Sequence, residues 1–236
     1  MLAGRTGPRL QSPRMDAKPD ETAPTARRGY HHGALKAAMV EAAVALVQER
    51  GADAVTVREA ARRAGVSSGA PFRHFPNRTA LMTAAAEEAM RRFRAEIDAA
   101  MAEAAGEDAL VRFSALALAY LRWSVRNPAL FEILGNRRSL DLARAPQLQA
   151  DLATLSDLVI KLLTEARDAG LLRSDDVFYL ALNARTMAYG MSHMLIDQQL
   201  EEWGIDDARA EAAMAAAMRH YLRGIAADPD RHAFRV

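Results

Sequence analysis

The sequence contains no cysteine, which excludes disulfides and thiolate metal sites. Lysine is nearly absent as well: of 31 basic residues only Lys18, Lys36 and Lys161 are lysine. With so much alanine, that bias points to a GC-rich genome rather than to a function. No apolar run is long enough to span a bilayer, and the N-terminus lacks a signal-peptide pattern, so the expected location is cytoplasmic. The chain has no HExxH, no GxSxG, no phosphate loop and no glycine-rich dinucleotide fingerprint. Its acids and histidines fall on separate segments, and the adjacent His31 and His32 point different ways. These absences argue against an enzyme, a metal or any other cofactor.

What is present is enough for a sizeable helical core. Half of the 236 residues are apolar. The net charge of +1 is unevenly spread: residues 1–80 carry 13 Lys and Arg against 7 Asp and Glu, a balance of +6, and the remainder is at −5. A basic head on an acidic body suits a protein whose head meets phosphate. Scatter among solvated charges is the plainer explanation. Residues 1–28 hold Gly4, Gly7, Pro8, Pro13, Pro19 and Pro24 without helical periodicity, and read as a disordered tail. Arg27 and Arg28 end that tail, either as an arm along DNA or as a solvated linker.

The most informative stretch runs over residues 56–78, TVREAARRAGVSSGAPFRHFPNR. Thr56 is placed to cap a short helix, with Glu59 completing a capping box. Val57, Ala60, Ala61 and Ala64 give that helix one apolar face. Gly65 stands where a helix end wants a left-handed residue, followed by Val66 as a plug. Ser67 or Ser68 then caps a second helix reaching His74, with Pro71 tolerated in its first turn. Pro76 stops it, and Asn77 caps the next helix. The second helix offers Ser67, Ser68, Gly69, Ala70 and Arg73, a small and polar face suited to a groove about 12 Å wide. This spacing predicts a helix-turn-helix reader. An ordinary helical hairpin inside an all-α core fits the same pattern. Arg73 is the one long side chain on the reader able to reach a guanine edge.

Residues 29–88 closely resemble the N-terminal domain of TetR-family transcriptional regulators. The resemblance rests on the YHHG opening, the AGVS turn and the PFRHFPNR run together. It implies an all-α fold: an N-terminal three-helix DNA-binding domain over 29–80, joined to a larger helical regulatory and dimerisation domain over 81–227. It further implies a homodimeric repressor on a palindromic operator of double-stranded DNA, released by a small apolar or amphipathic ligand. His74 and Arg78 match family positions that contact the DNA backbone. Phe72 stands where the family commonly has a tyrosine touching phosphate, and it lacks the hydroxyl. The expected DNA contacts are Arg27, Arg28, Thr56, Arg58, Ser67, Ser68, Gly69, Ala70, Arg73, His74, Asn77 and Arg78.

Periodicity and breakers predict about nine helices. The first spans 33–50; those of the body span 78–104, 108–126, 128–135, 146–170, 174–200 and 206–226, with a loop over 136–145 and a tail over 228–236. In the family the last two helices form a four-helix bundle with their partners. That implies dimer contacts from Met194, Ala210, Met214, Ala217, Met218 and Tyr221, with burial inside one chain as the alternative. Leu116, Tyr120, Trp123, Phe131, Met187, Tyr189, Met191 and His193 are the candidate pocket residues. Each could equally be core, and His193 is expected to be a core histidine bonded to a neighbour. The alternative function is an orphan DNA binder without a ligand. A connected cavity in the body would favour the ligand reading.

Overall fold

Helix follows helix along the chain, as the spacing of caps and glycines predicts. The fold is that of a computed structural model, which describes residues 25–230 apart from Ser68 and Ala70, with side chains from Ala34 onward. Among these residues there are nine α-helices and short 3₁₀ turns. None of the helices is long and apolar enough to cross a membrane.

The head consists of α1 (Thr25–Arg50), α2 (Val57–Arg63) and α3 (Pro71–His74). α1 starts at Thr25 rather than near Gly33, so the expected tail over 1–28 is corrected at its end: residues 25–28, with Arg27 and Arg28, are helical. Met39, Ala42, Ala43, Leu46 and Val47 form its buried stripe. Gly51 at φ 79° ends it, and its N–H donates to the Val47 carbonyl at 2.7 Å. A 3₁₀ turn, Ala52–Ala54, then leads to α2.

α4 (Arg78–Glu103) is common to head and body. At 26 residues it is about 39 Å long. Its first half buries Leu81, Met82, Ala85, Ala86 and Ala89, the three alanines letting α1 approach closely, and its second half buries Phe93 and Ile97. The body is completed by α5 (Ala109–Arg126), α6 (Pro128–Gly135), α7 (Pro146–Asp168), α8 (Val177–Ile196) and α9 (Asp207–Ile225). Asp108, Asp176 and Asp206 cap their helices by accepting backbone N–H bonds. Pro128 and Pro146 stand at first-turn positions. α5 is buried nearly all round and touches α4, α7, α8 and α9. Ser192 of α8 lies 2.8 Å from Ser124 of α5, oxygen to oxygen, with both side chains buried.

Some boundaries differ from expectation. α3 begins at Pro71, whose fixed φ and missing N–H suit the first helical position, and the expected Ser68 cap lies outside the described residues. α8 ends at Ile196, where Gln198 turns left-handed at φ 59°, and a separate 3₁₀ segment covers Gln199–Trp203. The expected loop over 136–145 is two 3₁₀ turns, Arg137–Ser139 and Leu142–Arg144.

The expected dimer residues also need correction. Ala210, Met214 and Met218 are at most 2% exposed and form the stripe that α9 packs inside its own protomer. Tyr221 is half-buried, and its hydroxyl donates to the Leu180 carbonyl at 2.6 Å. Met194 and Ala217 remain half-exposed. The alanine-rich sequence hides which alanines face inward, because small residues suit either side of a helix.

α1 and α4 are also linked by charge. Arg92 joins Glu88 on its own helix to Glu41 on α1. Hydrogen bonds, first from Arg91 and then from Arg92, hold the Glu88 carboxyl at about 2 against an ordinary 4.5. A lowered carboxylate value stabilises the fold above the unfolded value and loses that contribution as pH falls toward the folded one. We therefore expect Glu88→Gln to be less stable than the native chain at pH 6 in urea. The two stabilities should converge between pH 4.5 and about 2. A difference constant over that window would contradict the linkage.

Candidate functional site

Two features invite a function: the exposed edge of the head and a cleft in the body. At the head, the Thr56 hydroxyl accepts the Glu59 N–H at 3.1 Å, as predicted. The second half of the capping box is not made. Glu59 turns to Arg62 at 2.6 Å and Arg50 at 3.3 Å, because two guanidiniums hold a carboxylate better than one backbone N–H. α2 ends with Val66 N–H donating to Ala61 at 3.1 Å and Gly65 N–H donating to Arg62 at 3.3 Å. Gly65 sits at φ 67°, the left-handed conformation that this closing motif demands. Val66 is half-buried beneath the turn.

α3 is pinned at its first residue, Pro71, and by Phe75 just after its end, both buried. Between them Phe72 and Arg73 face solvent, and His74 is half-buried beside Phe75. Thr56, Arg58, Ser67, Gly69 and Asn77 are also exposed on the head. Asn77 caps α4 by accepting the Ala80 N–H at 2.8 Å. Ser68, Ala70 and the side chains of Arg27 and Arg28 lie outside the described residues. The basic residues divide into two sets. Arg50 and Arg62 pair with Glu59, and Arg63 with Glu49. Arg58 and Arg73 are exposed and make no ion pair among the described residues.

Arg78 corrects its expected role. Its guanidinium turns inward, donating to the Ala52 carbonyl at 2.7 Å and the Val55 carbonyl at 3.1 Å. It also reaches Ser139 at 3.4 Å. From the other side, Glu132 of α6 accepts the Ala52 N–H at 3.0 Å. The segment between α1 and α2 is thus held at once by α4 and α6. The sequence shows that Arg78 follows the capping Asn77, but not that the Ala52 and Val55 carbonyls wait behind it.

The body cleft lies among α4, α5, α6, α7 and α8, in two lobes of about 320 and 610 Å³. Phe93, Tyr120, Leu155, Ser156 and Arg185 line both. Of the expected pocket residues, Leu116, Tyr120, Trp123, Phe131 and Tyr189 line it. Met187 and Met191 do not; they are half-buried against the core. His193 lines a different hollow at the head–body junction, with Val47, Gly51 and Glu132. Its ring packs 4.4 Å from Tyr189, yet its buried Nε2 has no hydrogen-bond partner among the described residues, which corrects the expectation of a bonded core histidine. The periodicity argument missed Arg137, Arg185 and the α7 wall, because α7 turns apolar Leu155 and Val159 toward an opening rather than into packed core. Burial pushes the Tyr120 hydroxyl up to about 12. Among the described residues, no three acidic or histidine side chains converge as a metal site would require.

Comparison with known proteins bears on both features. A family model described as "Bacterial regulatory proteins, tetR family" matches residues 39–85. A second, "Tetracyclin repressor-like, C-terminal domain", matches residues 113–221. No curated protein matches the chain. A protein of unknown function from Rhodococcus sp. RHA1 is 31% identical over 84% of this chain and 98% of its own, with a TM-score of 0.67. A tetR-family regulatory protein from Rhodococcus RHA1 has 21% identity, coverage of 82% and 98%, and a TM-score of 0.66. The ketosteroid transcriptional regulator KstR2 of Mycobacterium tuberculosis has 19% identity, coverage of 87% and 98%, and a TM-score of 0.62.

The inward clamp yields a direct test. Arg78→Met should lower unfolding free energy by about 1–3 kcal/mol, because it removes a charged donor from the Ala52 and Val55 carbonyls. Unchanged urea stability would mean that Arg78 does not hold the 52–55 segment.

Proposed function

Because the chain belongs to the TetR family of bacterial regulatory proteins, we propose that it works as a homodimeric repressor, released from a palindromic operator by a small apolar or amphipathic ligand in the body cleft. DNA binding and regulation of transcription come with the family. The finer reading rests on one observation above all. α6 presents Phe131, Leu134 and Gly135 to the cleft, while Glu132 on the same helix holds the Ala52 N–H just ahead of α2.

A ligand that prefers the body state with α6 displaced lowers operator affinity by its preference between the two states. The cleft volume favours this reading over an orphan binder, for which a solid, alanine-packed body is expected.

A single reader offers few base contacts, so two chains on a twofold axis, readers about 34–36 Å apart, supply the discrimination. The surface that suits a second copy is the half-exposed side of α8 and α9. It carries Met187, Gly190 and Met194 on one helix and Ala213, Ala216 and Ala217 on the other. A Cβ placed on Gly190 meets nothing within 4 Å, so a partner helix has room to approach.

Arg58 and Arg73 are the head cations left over for DNA, Arg58 for phosphate and Arg73 for a base edge. In gel shifts on the inverted repeat nearest the gene, affinity should fall steeply with KCl. Arg73→Ala should relax preference at one base pair by about 1–3 kcal/mol. Affinity and preference both unchanged would remove Arg73 from the reader.

Ligand release is testable without the ligand. Ser156 is exposed and lines both lobes of the cleft. Ser156→Trp should occupy the cleft and weaken operator binding by about tenfold, within the usual range of allosteric coupling, with little change in melting temperature. Full operator affinity in a folded variant with a filled cleft would contradict release through the cleft.

A further inference from the structure

Every charged side chain lining the two lobes of the cleft is an arginine. Arg185 of α8 lines both, and Arg137, from the turn after α6, lines the larger. Neither lobe has an aspartate or glutamate in its wall. Several arginines elsewhere in the body do find carboxylates: Arg94 reaches Asp151 at 2.8 Å, Arg112 reaches Glu165 at 3.3 Å, and Arg209 reaches Asp206 at 3.2 Å. Arg137 and Arg185 make no such pair among the described residues.

The surroundings of Arg137 make its missing partner costly. Burial, and then the like charge of Arg185, push the Arg137 guanidinium below its ordinary value. Arg185 lies over the rings of Tyr120 and Tyr189, 5.6 and 5.9 Å from their centroids, a cation–π contact that offsets only part of a charge. Two like charges near one partly desolvated cleft repel, and an anion between them relieves both. The guanidinium fork fits carboxylate, sulfonate and phosphate oxygens in particular. Apart from Arg185, Tyr120 and Ser156 the smaller lobe is apolar, walled by Phe113, Leu116, Val159, Ile160, Phe178 and Leu182.

We propose that the cleft binds an amphipathic organic anion, its charged group held between Arg137 and Arg185 and its hydrocarbon part in the lobe lined by Phe113, Leu116 and Val159. This rests on the reading of the cleft as an effector site and names the chemistry of the effector. The charged group lies beside Gly135 and Phe131, which also line the larger lobe, so the anion sits against the α6 helix that holds Ala52.

A pair of dyes with one skeleton tests it. N-phenyl-1-naphthylamine is neutral, and its 8-sulfonate carries the anion. The sulfonate should bind the native protein at one site per chain, about tenfold tighter than the amine, the worth of one charge-assisted hydrogen bond. Decanoate should displace it far better than decan-1-ol. In Arg137→Met/Arg185→Met the sulfonate should weaken to the level of the amine. Amine binding should stay unchanged there, which shows the apolar lobe intact. Equal binding of the two dyes to the native protein, or a double variant that keeps its preference for the sulfonate, overturns the anion assignment and leaves the cleft a ligand site. Binding of neither dye, nor of decanoate by calorimetry, overturns the effector site itself. Operator release by decanoate, lost in the double variant, separates effector binding from simple occupancy.

Discussion

The protein depends on a grip around five residues, Gly51 to Val55. Arg78 at the start of α4 donates to the carbonyls of Ala52 and Val55. Glu132 of α6 accepts the Ala52 N–H. Hydrogen bonds with one charged member are the strong kind, and a partner left unpaired in a half-buried place costs more than the bond contributes. The segment therefore does not drift between head and body; it moves with α4 and α6 or breaks from them. α2 begins immediately after, at Val57 with Thr56 as its cap, so the direction of the reader unit is fixed by where these two side chains stand.

That grip gives α6 its leverage. Neighbouring residues on a helix point about 100° apart, so Phe131 faces the cleft while Glu132 faces the head. Packed interiors transmit displacement rather than absorb it. Allosteric coupling typically needs about 1–3 kcal/mol between sites, and one or two charged hydrogen bonds supply a difference of that size. A second link runs beside it: the Asp141 N–H donates to the Thr83 hydroxyl of α4 at 2.9 Å, tying the turn after Arg137 to the same rod. In the proposed reading, a ligand's charged group at Arg137 stands between these two links in the chain, after Glu132 and before Asp141.

Much of the fold was legible because caps and breakers are local. Asn77, Asp108 and Asp206 act within their own turn, and Gly65 needs only its φ. What depends on partners far along the chain was not legible. Arg78 looked like a phosphate ligand because nothing near it in sequence shows the carbonyls of Ala52 and Val55. The inward alanine and methionines of α9 looked like an interface because a small apolar stripe fits a neighbour in the same chain or in another. Arg137 and Arg185 sit 48 residues apart and carry no periodic signal, so only the fold brings them to one cleft. His193 was placed on the correct helix but faces a different hollow, since one position along a helix changes direction by more than a quarter turn.

The reader itself shows why precision and exposure must be reconciled. Four residues form only one turn of helix, far below what is stable alone in water. Its order comes from Pro71 at its first position and Phe75 beyond its last, both buried, with the Phe75 N–H donating to the Pro71 carbonyl at 2.8 Å. The two anchors hold Phe72 and Arg73 outward without needing a long helix beneath them. A short, externally anchored reader has little orientation of its own, so it takes its direction from α2 and the grip on Ala52. In the proposed dimer, a shift there too small to unfold anything is enough to spoil the spacing between two such readers, because an operator tolerates little error in the distance between half-sites.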